Sequence, residues 1–268
     1  MLPNILPKIP PHSTYVEPFA GSLAVFLNKK PSKYEIVNDL DSDIATFWRT
    51  LKYDSKPLLY KIMMTPFSRS VFGNVAEALF RSEEKLSDVD RALYTYVILT
   101  QGITRMLDSS VNEKNLSLYR DESHSVVLKN NTWRNVQYAQ KIISRIQNTK
   151  VFNQDAIKVM KRFDGKNTFV YLDPPYVLST VRDTKGRNYK TNVTEEWHEE
   201  FLKTALRCKS KIMISGYESD LYHDYLKDWE CFKYTKHSNM ARSFYKTQEK
   251  IVIKNDCLWV NYSVKGEV

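Results

Sequence analysis

Short apolar runs alternate with amphipathic segments in the first 51 residues of the chain. The runs at 14–19 and 34–37 have the composition of β-strands, and the segments at about 21–29 and 40–51 have the apolar spacing of helices. Alternation of this kind is typical of parallel strands joined by crossover helices. The pattern therefore predicts the beginning of an α/β domain.

The segment at about 52–148 has almost no strand signal. Within it, residues 88–107 and 132–147 carry apolar side chains at helical spacing, with Asp88 and Thr132 near their starts as helix caps. The segment is therefore predicted to be a helical domain inserted into the α/β domain.

Strand-like runs return after this insertion. They lie at 150–153, 168–172, 211–215, 231–235 and 250–262. Helical segments separate the earlier runs, but the last two have no helix-length segment between them and predict an antiparallel hairpin with a long loop. The expected fold is a mostly parallel sheet with one antiparallel strand, formed by residues 1–51 and 149–268, with the helical domain inserted at 52–148.

Composition narrows the class of protein. No apolar run reaches 18 residues, so no membrane span is expected, and we predict a soluble cytoplasmic protein. The three cysteines, Cys208, Cys231 and Cys257, lack C-x-x-C spacing, so neither a disulfide framework nor a metal site is expected. Lysine and arginine total 40 against 31 acidic residues, and this net charge of +9 favours a polyanionic partner such as nucleic acid.

The most informative segment is Asp173-Pro174-Pro175-Tyr176, which directly follows the apolar run 168–172. Ligands of open α/β sheets collect at the carboxyl ends of strands. The two prolines restrict the backbone and remove two N–H donors, so the Asp173 carboxylate and the Pro174 carbonyl form a pair of acceptors. Such a pair suits an exocyclic amine, and Tyr176 offers a face on which a planar ring can stack. Taken alone, the four residues are equally compatible with a strand-ending turn.

Other predicted strand ends carry groups suited to a nucleoside-bearing cofactor. A strand turns into a helix at residues 17–22, where Gly21 permits close approach of the backbone to a ligand. Asp39 follows the second strand, where an acid commonly accepts hydrogen bonds from ribose hydroxyls, and Asp155 follows the third, within reach of an adenine amine. Leu23 stands where a G-x-G pattern would continue, so a nicotinamide cofactor is disfavoured.

Several segments resemble, in order, the motifs of the Dam-like (alpha class) DNA adenine methyltransferases. The matching segments are YVEPFAGSLAVFLNK (15–29), YEIVNDLDSDI (34–44), VFNQDA (151–156), TFVYLDPPYVLST (168–180), KIMISGYESDLY (211–222) and CLWVNY (257–262). The resemblance covers nearly the whole chain except the helical middle. It implies a Rossmann-like class I methyltransferase sheet, S-adenosyl-L-methionine as methyl donor, and the N6 amino group of a flipped adenine in double-stranded DNA as acceptor.

The resemblance also implies roles for individual residues. The catalytic clamp comprises Asp173, Pro174, Pro175 and Tyr176. The cofactor-binding residues comprise Glu17, Pro18, Phe19, Ala20, Gly21, Ser22, Asn38, Asp39, Asp155 and Asp173. Aspartate at the first clamp position fits adenine, since relatives that act on cytosine usually have serine there. Family members usually open with a W-x-G-G-K-like segment that helps bind the cofactor, whereas this chain opens with MLPNILPKIPPH, which leaves its cofactor affinity open.

Basic residues supply candidate DNA contacts. Residues 177–194 contain four basic residues against one acidic residue, and residues 233–254 contain six against one. We expect these two clusters to bind phosphates, and residues 52–148 to recognise the target sequence, as the family's insertion does. The candidate DNA-binding residues are Arg69, Arg91, Arg105, Arg120, Arg182, Lys185, Arg187, Lys190, Lys236, Arg242 and Lys246.

On sequence alone, alternative functions stay open. The chain could methylate RNA or a protein glutamine, or it could be a DNA-binding protein of the same fold with impaired cofactor binding. A nicotinamide-dependent oxidoreductase is the least favoured class because the chain lacks G-x-G-x-x-G. A cognate restriction endonuclease that acts separately, as in restriction-modification, is a compatible partner.

Overall fold

Strands and helices alternate in the computed structural model, which describes residues 1–102, 107–116, 136–177, 193–235 and 255–264. The strands are β1 (Thr14–Glu17), β2 (Tyr34–Asn38), β3 (Lys150–Phe152), β4 (Thr168–Leu172), β5 (Lys211–Tyr217), β6 (Glu230–Thr235) and β7 (Asn255–Val260). The helices are α1 (Leu2–Ile5), α2 (Ala24–Asn28), α3 (Ser42–Tyr53), α4 (Ser55–Met64), α5 (Arg69–Phe80), α6 (Asp88–Gln101), α7 (Val136–Ile146), α8 (Ala156–Arg162), α9 (Glu195–Arg207) and α10 (Asp220–Tyr225). No helix in the described ranges is both long and apolar enough to span a lipid bilayer.

The strands form one seven-stranded sheet in the order β3-β2-β1-β4-β5-β7-β6. β1 pairs in parallel with β2 and β4, β2 pairs in parallel with β3, and β4 with β5. β7 runs antiparallel to both of its neighbours, β5 and β6. This arrangement confirms the predicted α/β fold with a mostly parallel sheet and one antiparallel strand. The strand order changes direction between β1 and β4, and ligands of open α/β sheets bind at such a switch point.

Successive side chains along the central strands point to opposite faces of the sheet and pack in two separate cores. On one side of the sheet, Tyr15 and Tyr171 pack with side chains of α3 and α6. On the other side, Val16 and Leu172 pack with side chains of α8 and α9. Both faces of β1 and β4 are therefore buried, which explains why their sequences are dominated by apolar and aromatic residues. The two cores together hold the carboxyl ends of these strands in place.

The helices of the predicted insertion pack onto the sheet through a continuous core. Leu58 of α4, Phe72 of α5 and Val97 of α6 belong to the same buried cluster as the side chains of β1 and α3. Near the end of the insertion, Arg145 of α7 donates hydrogen bonds to both carboxylate oxygens of the buried Glu35 on β2. The division into a catalytic domain and a recognition insertion stays a prediction.

The cap of α6 differs from the sequence prediction. Ser87 Oγ accepts a hydrogen bond from the Asp90 N–H at 3.1 Å, so Ser87 is the cap and Asp88 is the first helical residue. An acid in the first turn still favours the helix through the helix dipole. The other predicted cap, Thr132, lies outside the described residues.

The turn between β1 and α2 contains a strained backbone position. Leu23 has φ 52° and ψ 33°, a left-handed conformation that costs a residue with a Cβ roughly 1–2 kcal/mol. Its side chain is fully buried in the core beneath the turn. Because burying a leucine contributes roughly 1.5–3 kcal/mol, the packing offsets the strain. The turn therefore forms without the second glycine of a G-x-G pattern.

Candidate active site

A cavity of about 510 Å³ opens at the carboxyl ends of β1, β2 and β4, at the switch point of the sheet. Its volume lies in the range of about 300–1,000 Å³ that is typical of small-molecule sites. The predicted site residues that line it are Glu17, Pro18, Phe19, Ala20, Gly21, Ser22, Asp39, Asp155, Asp173, Pro174, Pro175 and Tyr176. The fold thus brings the predicted cofactor and clamp residues, which are distant in sequence, to one cavity.

The turn that follows β1 presents its backbone to the cavity at Gly21. Gly21 has φ 44°, and a Cβ placed there would meet no atom within 4 Å outside the adjoining residues, so the position faces open space. The Gly21 carbonyl accepts a hydrogen bond from Trp48 Nε1 at 3.0 Å, and its N–H donates to Asp39 Oδ2 at 2.8 Å. These two bonds hold the turn in position.

Asp39 joins this turn to the end of β2. Its Oδ2 accepts the Gly21 N–H, and its Oδ1 accepts the Asp41 N–H at 2.9 Å. Burial raises the pKa of Asp39 to about 6, although both N–H groups favour its charged form. Each carboxylate oxygen has a second lone pair, so Asp39 can also accept hydrogen bonds from the hydroxyls of a ligand.

Asn38 is fully buried and is absent from the described lining of the cavity. Its amide nitrogen donates to the carbonyls of Pro18 and Gln154, both at 2.9 Å, and its oxygen accepts the Gln154 N–H at 2.9 Å. Asn38 therefore holds the backbone that borders the cavity in position. It does not line the cavity, which differs from the predicted cofactor contact. Asp155 does line the cavity, and it also caps α8 by accepting the Lys158 N–H at 3.1 Å.

Glu17 is a buried acid in the cavity wall. Only 3% of the residue is exposed, and its Oε2 accepts hydrogen bonds from the Tyr15 hydroxyl at 2.6 Å and the Phe26 N–H at 3.1 Å. Burial raises the pKa of Glu17 to about 8, and the nearby charge of Asp173 adds to the rise, while the two donors oppose it. A cation bound in the cavity would favour ionised Glu17.

We expect Glu17→Gln to flatten the pH dependence of folding stability. In the folded chain Glu17 stays protonated up to a pKa of about 8, whereas in the unfolded chain it ionises near its ordinary pKa of 4.5. The unfolded state therefore binds fewer protons between these values, and the free energy of unfolding falls as pH rises, by at most about 1.4 kcal/mol per pH unit. Urea denaturation of both proteins at pH values across this window measures the effect.

Comparison of the two proteins cancels the contributions of other titrating groups, such as Asp39, because both proteins contain them. E17Q is expected to gain stability relative to the wild type as pH rises through the window. Parallel stability curves would contradict a protonated Glu17 in the folded chain.

Asp173 and the residues after it form the β4 side of the cavity. Asp173 Oδ1 accepts a hydrogen bond from Ser215 Oγ at 2.8 Å. The ring of Tyr176 contacts that of Tyr217, with centroids 4.2 Å apart. Within the described residues, no donor is found for the Pro174 carbonyl. The clamp segment thus contains a carboxylate, and a main-chain carbonyl without a described donor, next to an aromatic ring.

The cavity also has an apolar wall that the sequence analysis did not identify. Its residues include Leu40, Ile44 and Trp197. The Trp197 ring packs edge to face against Phe19, with centroids 6.1 Å apart, and stacks on Phe201 at 5.2 Å. Apolar and aromatic side chains of this kind suit the planar ring of a ligand. Leu40 could have been predicted as a wall residue because it directly follows Asp39. Trp197 could not, because it lies in no recognised motif.

Few of the predicted DNA-binding residues are described. Arg69 is exposed at the first turn of α5. Arg91 donates to the buried Asp43 at 2.5 Å and thereby joins α6 to α3, and its DNA contact stays a prediction. The candidates outside the described residues are Arg105, Arg120, Arg182, Lys185, Arg187, Lys190, Lys236, Arg242 and Lys246. In the described ranges, no group of three or more His, Cys, Asp and Glu side chains is arranged to hold a metal ion.

Comparison with known protein families agrees with the motifs and with the cavity. The family model described as D12 class N6 adenine-specific DNA methyltransferase matches residues 1–256. The match spans nearly the whole chain and includes every residue found to line the cavity. It confirms the resemblance to Dam-like enzymes and identifies the chain as an adenine-specific DNA methyltransferase, which requires a methyl donor and DNA. The chain therefore belongs to the family of D12 class N6 adenine-specific DNA methyltransferases.

Proposed function

We propose that the chain transfers a methyl group from S-adenosyl-L-methionine to the N6 amino group of an adenine flipped out of a specific double-stranded DNA sequence. The observation that carries this proposal is that the turn after β1, Asp39, Asp173 and Tyr176 line one and the same cavity. The part beside Asp39 suits a nucleoside-bearing methyl donor. The part beside Asp173 suits an exocyclic amine.

The chemistry of the lining residues fits S-adenosylmethionine. We assign the ribose hydroxyls to Asp39, the adenine amine to Asp155, and one face of the adenine ring to Leu40. Glu17 and the Gly21 turn border the space for the positively charged methionine part, which favours the ionised form of Glu17. When bound, S-adenosylmethionine supplies a methyl group attached to a positively charged sulfur.

The clamp residues act on the target amine by holding it. The nitrogen lone pair of an exocyclic amine is delocalised into the base and is a poor nucleophile. If Asp173 and the Pro174 carbonyl each accept one N–H, they favour a pyramidal nitrogen and direct its lone pair into the cavity. The nitrogen that gains a methyl group loses a proton, and Asp173 is the carboxylate placed to receive it. No strong base is required.

Base flipping follows from the position of the clamp at the end of a buried strand, which a base stacked in a duplex cannot reach. Extrusion of a base costs roughly a few kcal/mol in lost stacking and pairing, which contacts to the DNA backbone must offset. We assign these contacts to the basic clusters at 177–194 and 233–254, and recognition of the target sequence to residues 52–148.

Neutralising part of the second cluster is expected to reduce the salt dependence of DNA binding. Each phosphate contact contributes about 0.9 to the slope of log affinity against log salt concentration. Replacement of Lys236, Arg242 and Lys246 by glutamine should therefore lower the slope by about 2–3 if all three contact phosphates. Fluorescence anisotropy with labelled duplex DNA at several salt concentrations measures the slope.

A matched control removes three charges at the opposite edge of the sheet. Lys30, Lys33 and Lys166 are exposed near the amino ends of β2 and β4, away from the cavity. Their replacement by glutamine should change the slope much less. Equal slopes for the cluster variant and the wild type would place the phosphate contacts elsewhere.

A methyl-transfer assay separates the proposed function from its alternatives. Purified chain is incubated with methyl-labelled S-adenosylmethionine and with DNA, RNA or protein. We expect label in DNA only, recovered as N6-methyladenine after digestion to nucleosides. Label in RNA or protein alone would overturn the proposed substrate. Calorimetry with S-adenosylmethionine tests the donor, and absence of binding heat both with and without DNA would favour a DNA-binding protein with impaired cofactor binding.

A further inference from the structure

Ser215 lies on β5, next to the clamp and within the motif at 211–222, for which the sequence analysis gave no residue a role. We propose that Ser215, supported by Tyr171, is a positioning residue that fixes the orientation of the Asp173 carboxylate for methyl transfer. This inference rests on the proposed role of Asp173 as the acceptor of the target amine.

The hydroxyl of Ser215 lies within hydrogen-bond distance of three oxygens. These are Asp173 Oδ1 at 2.8 Å, the Tyr171 hydroxyl at 2.9 Å and the Leu172 carbonyl at 3.2 Å. Ser215 and Tyr171 are 5% and 4% exposed, whereas Asp173 is exposed. Tyr171 and Asp173 both line the cavity, and Ser215 lies behind them. The serine therefore connects a buried hydroxyl group to the carboxylate that faces the ligand.

The direction of these hydrogen bonds follows from the donors available. A serine hydroxyl has one proton, and a carboxylate or carbonyl oxygen only accepts. Because hydrogen bonds to charged acceptors are the stronger ones, the Ser215 proton goes to Asp173, which is also nearer than the Leu172 carbonyl. Tyr171 then donates its proton to Ser215. The result is an ordered chain from Tyr171 through Ser215 to Asp173.

The pairing of β4 with β5 makes this contact possible. Leu172 lies opposite Ile214, so the next residues along the two parallel strands, Asp173 and Ser215, adjoin at the cavity edge. With Oδ1 held by Ser215, rotation of the Asp173 carboxylate is restricted. A carboxylate without this donor would sample other orientations, and fewer of them would suit transfer.

A matched control directly precedes the same strand, at its amino end. Ser210 is 2% exposed, and its Oγ donates to Asp164 Oδ1 at 2.7 Å. This second serine–aspartate pair lies near the amino ends of β4 and β5 and does not line the cavity. Ser210→Ala and Ser215→Ala therefore remove equivalent hydrogen bonds, and only one of these bonds belongs to the clamp.

The test compares these two variants with Tyr171→Phe. The DNA substrate is a duplex around a target adenine, located beforehand by sequencing methylated adenines in DNA from cells that express the chain. We expect S215A to lower kcat about 10- to 100-fold with little change in the KM for DNA or the Kd for S-adenosylmethionine, since hydrogen bonds to charged groups contribute about 1.5–3 kcal/mol. Y171F should lower kcat less, and S210A should leave it near the wild-type value.

Equal kcat values for S215A, S210A and the wild type would overturn the inference, as would a loss in S215A that appears only in KM. If S215A does not fold, Y171F decides, because it keeps the ring and the serine and removes one oxygen. Asp173→Ala in the same series separates the proposed function of the clamp from the proposed role of Ser215. Wild-type turnover in D173A refutes the clamp itself, whereas an inactive D173A beside a fully active S215A refutes only the role of Ser215.

Discussion

Asp173→Ala is expected to lower the rate of methyl transfer by at least about 10²- to 10³-fold, the cost of removing one preorganised group that holds a reacting atom. Asp173 is exposed at the end of β4, so its replacement removes no core packing. Both DNA and S-adenosylmethionine should still bind, because we assign most of their contacts to other residues. Single-turnover transfer of labelled methyl, measured with DNA binding by fluorescence anisotropy, separates the two effects.

Asp164→Ala provides a matched control. Asp164 is also exposed, and like Asp173 it accepts a hydrogen bond from a serine hydroxyl, that of Ser210 directly before β5. D164A should retain turnover within a factor of about two, as expected of a surface substitution away from the site. Near-wild-type turnover in D173A would contradict the clamp, and equal losses in both variants would point to general destabilisation.

Asp39→Ala is expected to raise the Kd for S-adenosylmethionine about 10- to 100-fold. The substitution removes the proposed charged hydrogen bonds to the ribose. Each such bond is worth about 1.5–3 kcal/mol, and 1.4 kcal/mol corresponds to a tenfold change in Kd. It also removes the acceptor of the Gly21 N–H, which loosens the turn that borders the donor. Isothermal titration calorimetry measures the Kd, and thermal unfolding reports any loss of stability.

Asp164→Ala is a suitable control here as well. Asp164 accepts the N–H groups of Lys209 and Ser210, just as Asp39 accepts those of Gly21 and Asp41. The control should therefore share any structural cost of losing a carboxylate that binds backbone groups. An unchanged Kd in D39A would remove Asp39 from the donor site, and an equal rise in both variants would show that the effect is not local.

The fold could be predicted from the sequence because both faces of its central strands are buried. Such strands appear as uninterrupted apolar runs, and helix-length segments between them leave parallel pairing as the reasonable topology. The position of β7 between β5 and β6 was not predicted, because hairpin pairing is local whereas the order of strands in a sheet depends on packing between distant segments. The cap of α6 was misplaced by one residue, since Ser87 and Asp88 both favour a helix start.

The candidate site could be predicted where chemistry follows directly after a strand, as at Asp39 and Asp173. Residues that act from a neighbouring strand or helix were missed. Ser215 is an ordinary serine in sequence, and its contact with Asp173 depends on the register of β4 and β5. Asn38 was assigned to the ligand by the family resemblance, but its side chain is fully buried and bonds the backbone of Pro18 and Gln154.

The most direct test of the proposed function is a crystal structure of the chain with a non-reactive analogue of S-adenosylmethionine. We predict that the analogue occupies the cavity at the carboxyl ends of β1 and β2, with its ribose bound to Asp39 and its adenine beside Asp155. Its reactive end should point towards Asp173 and the Pro174 carbonyl. An analogue bound outside this cavity, or one whose reactive end faces away from Asp173, would contradict the proposal.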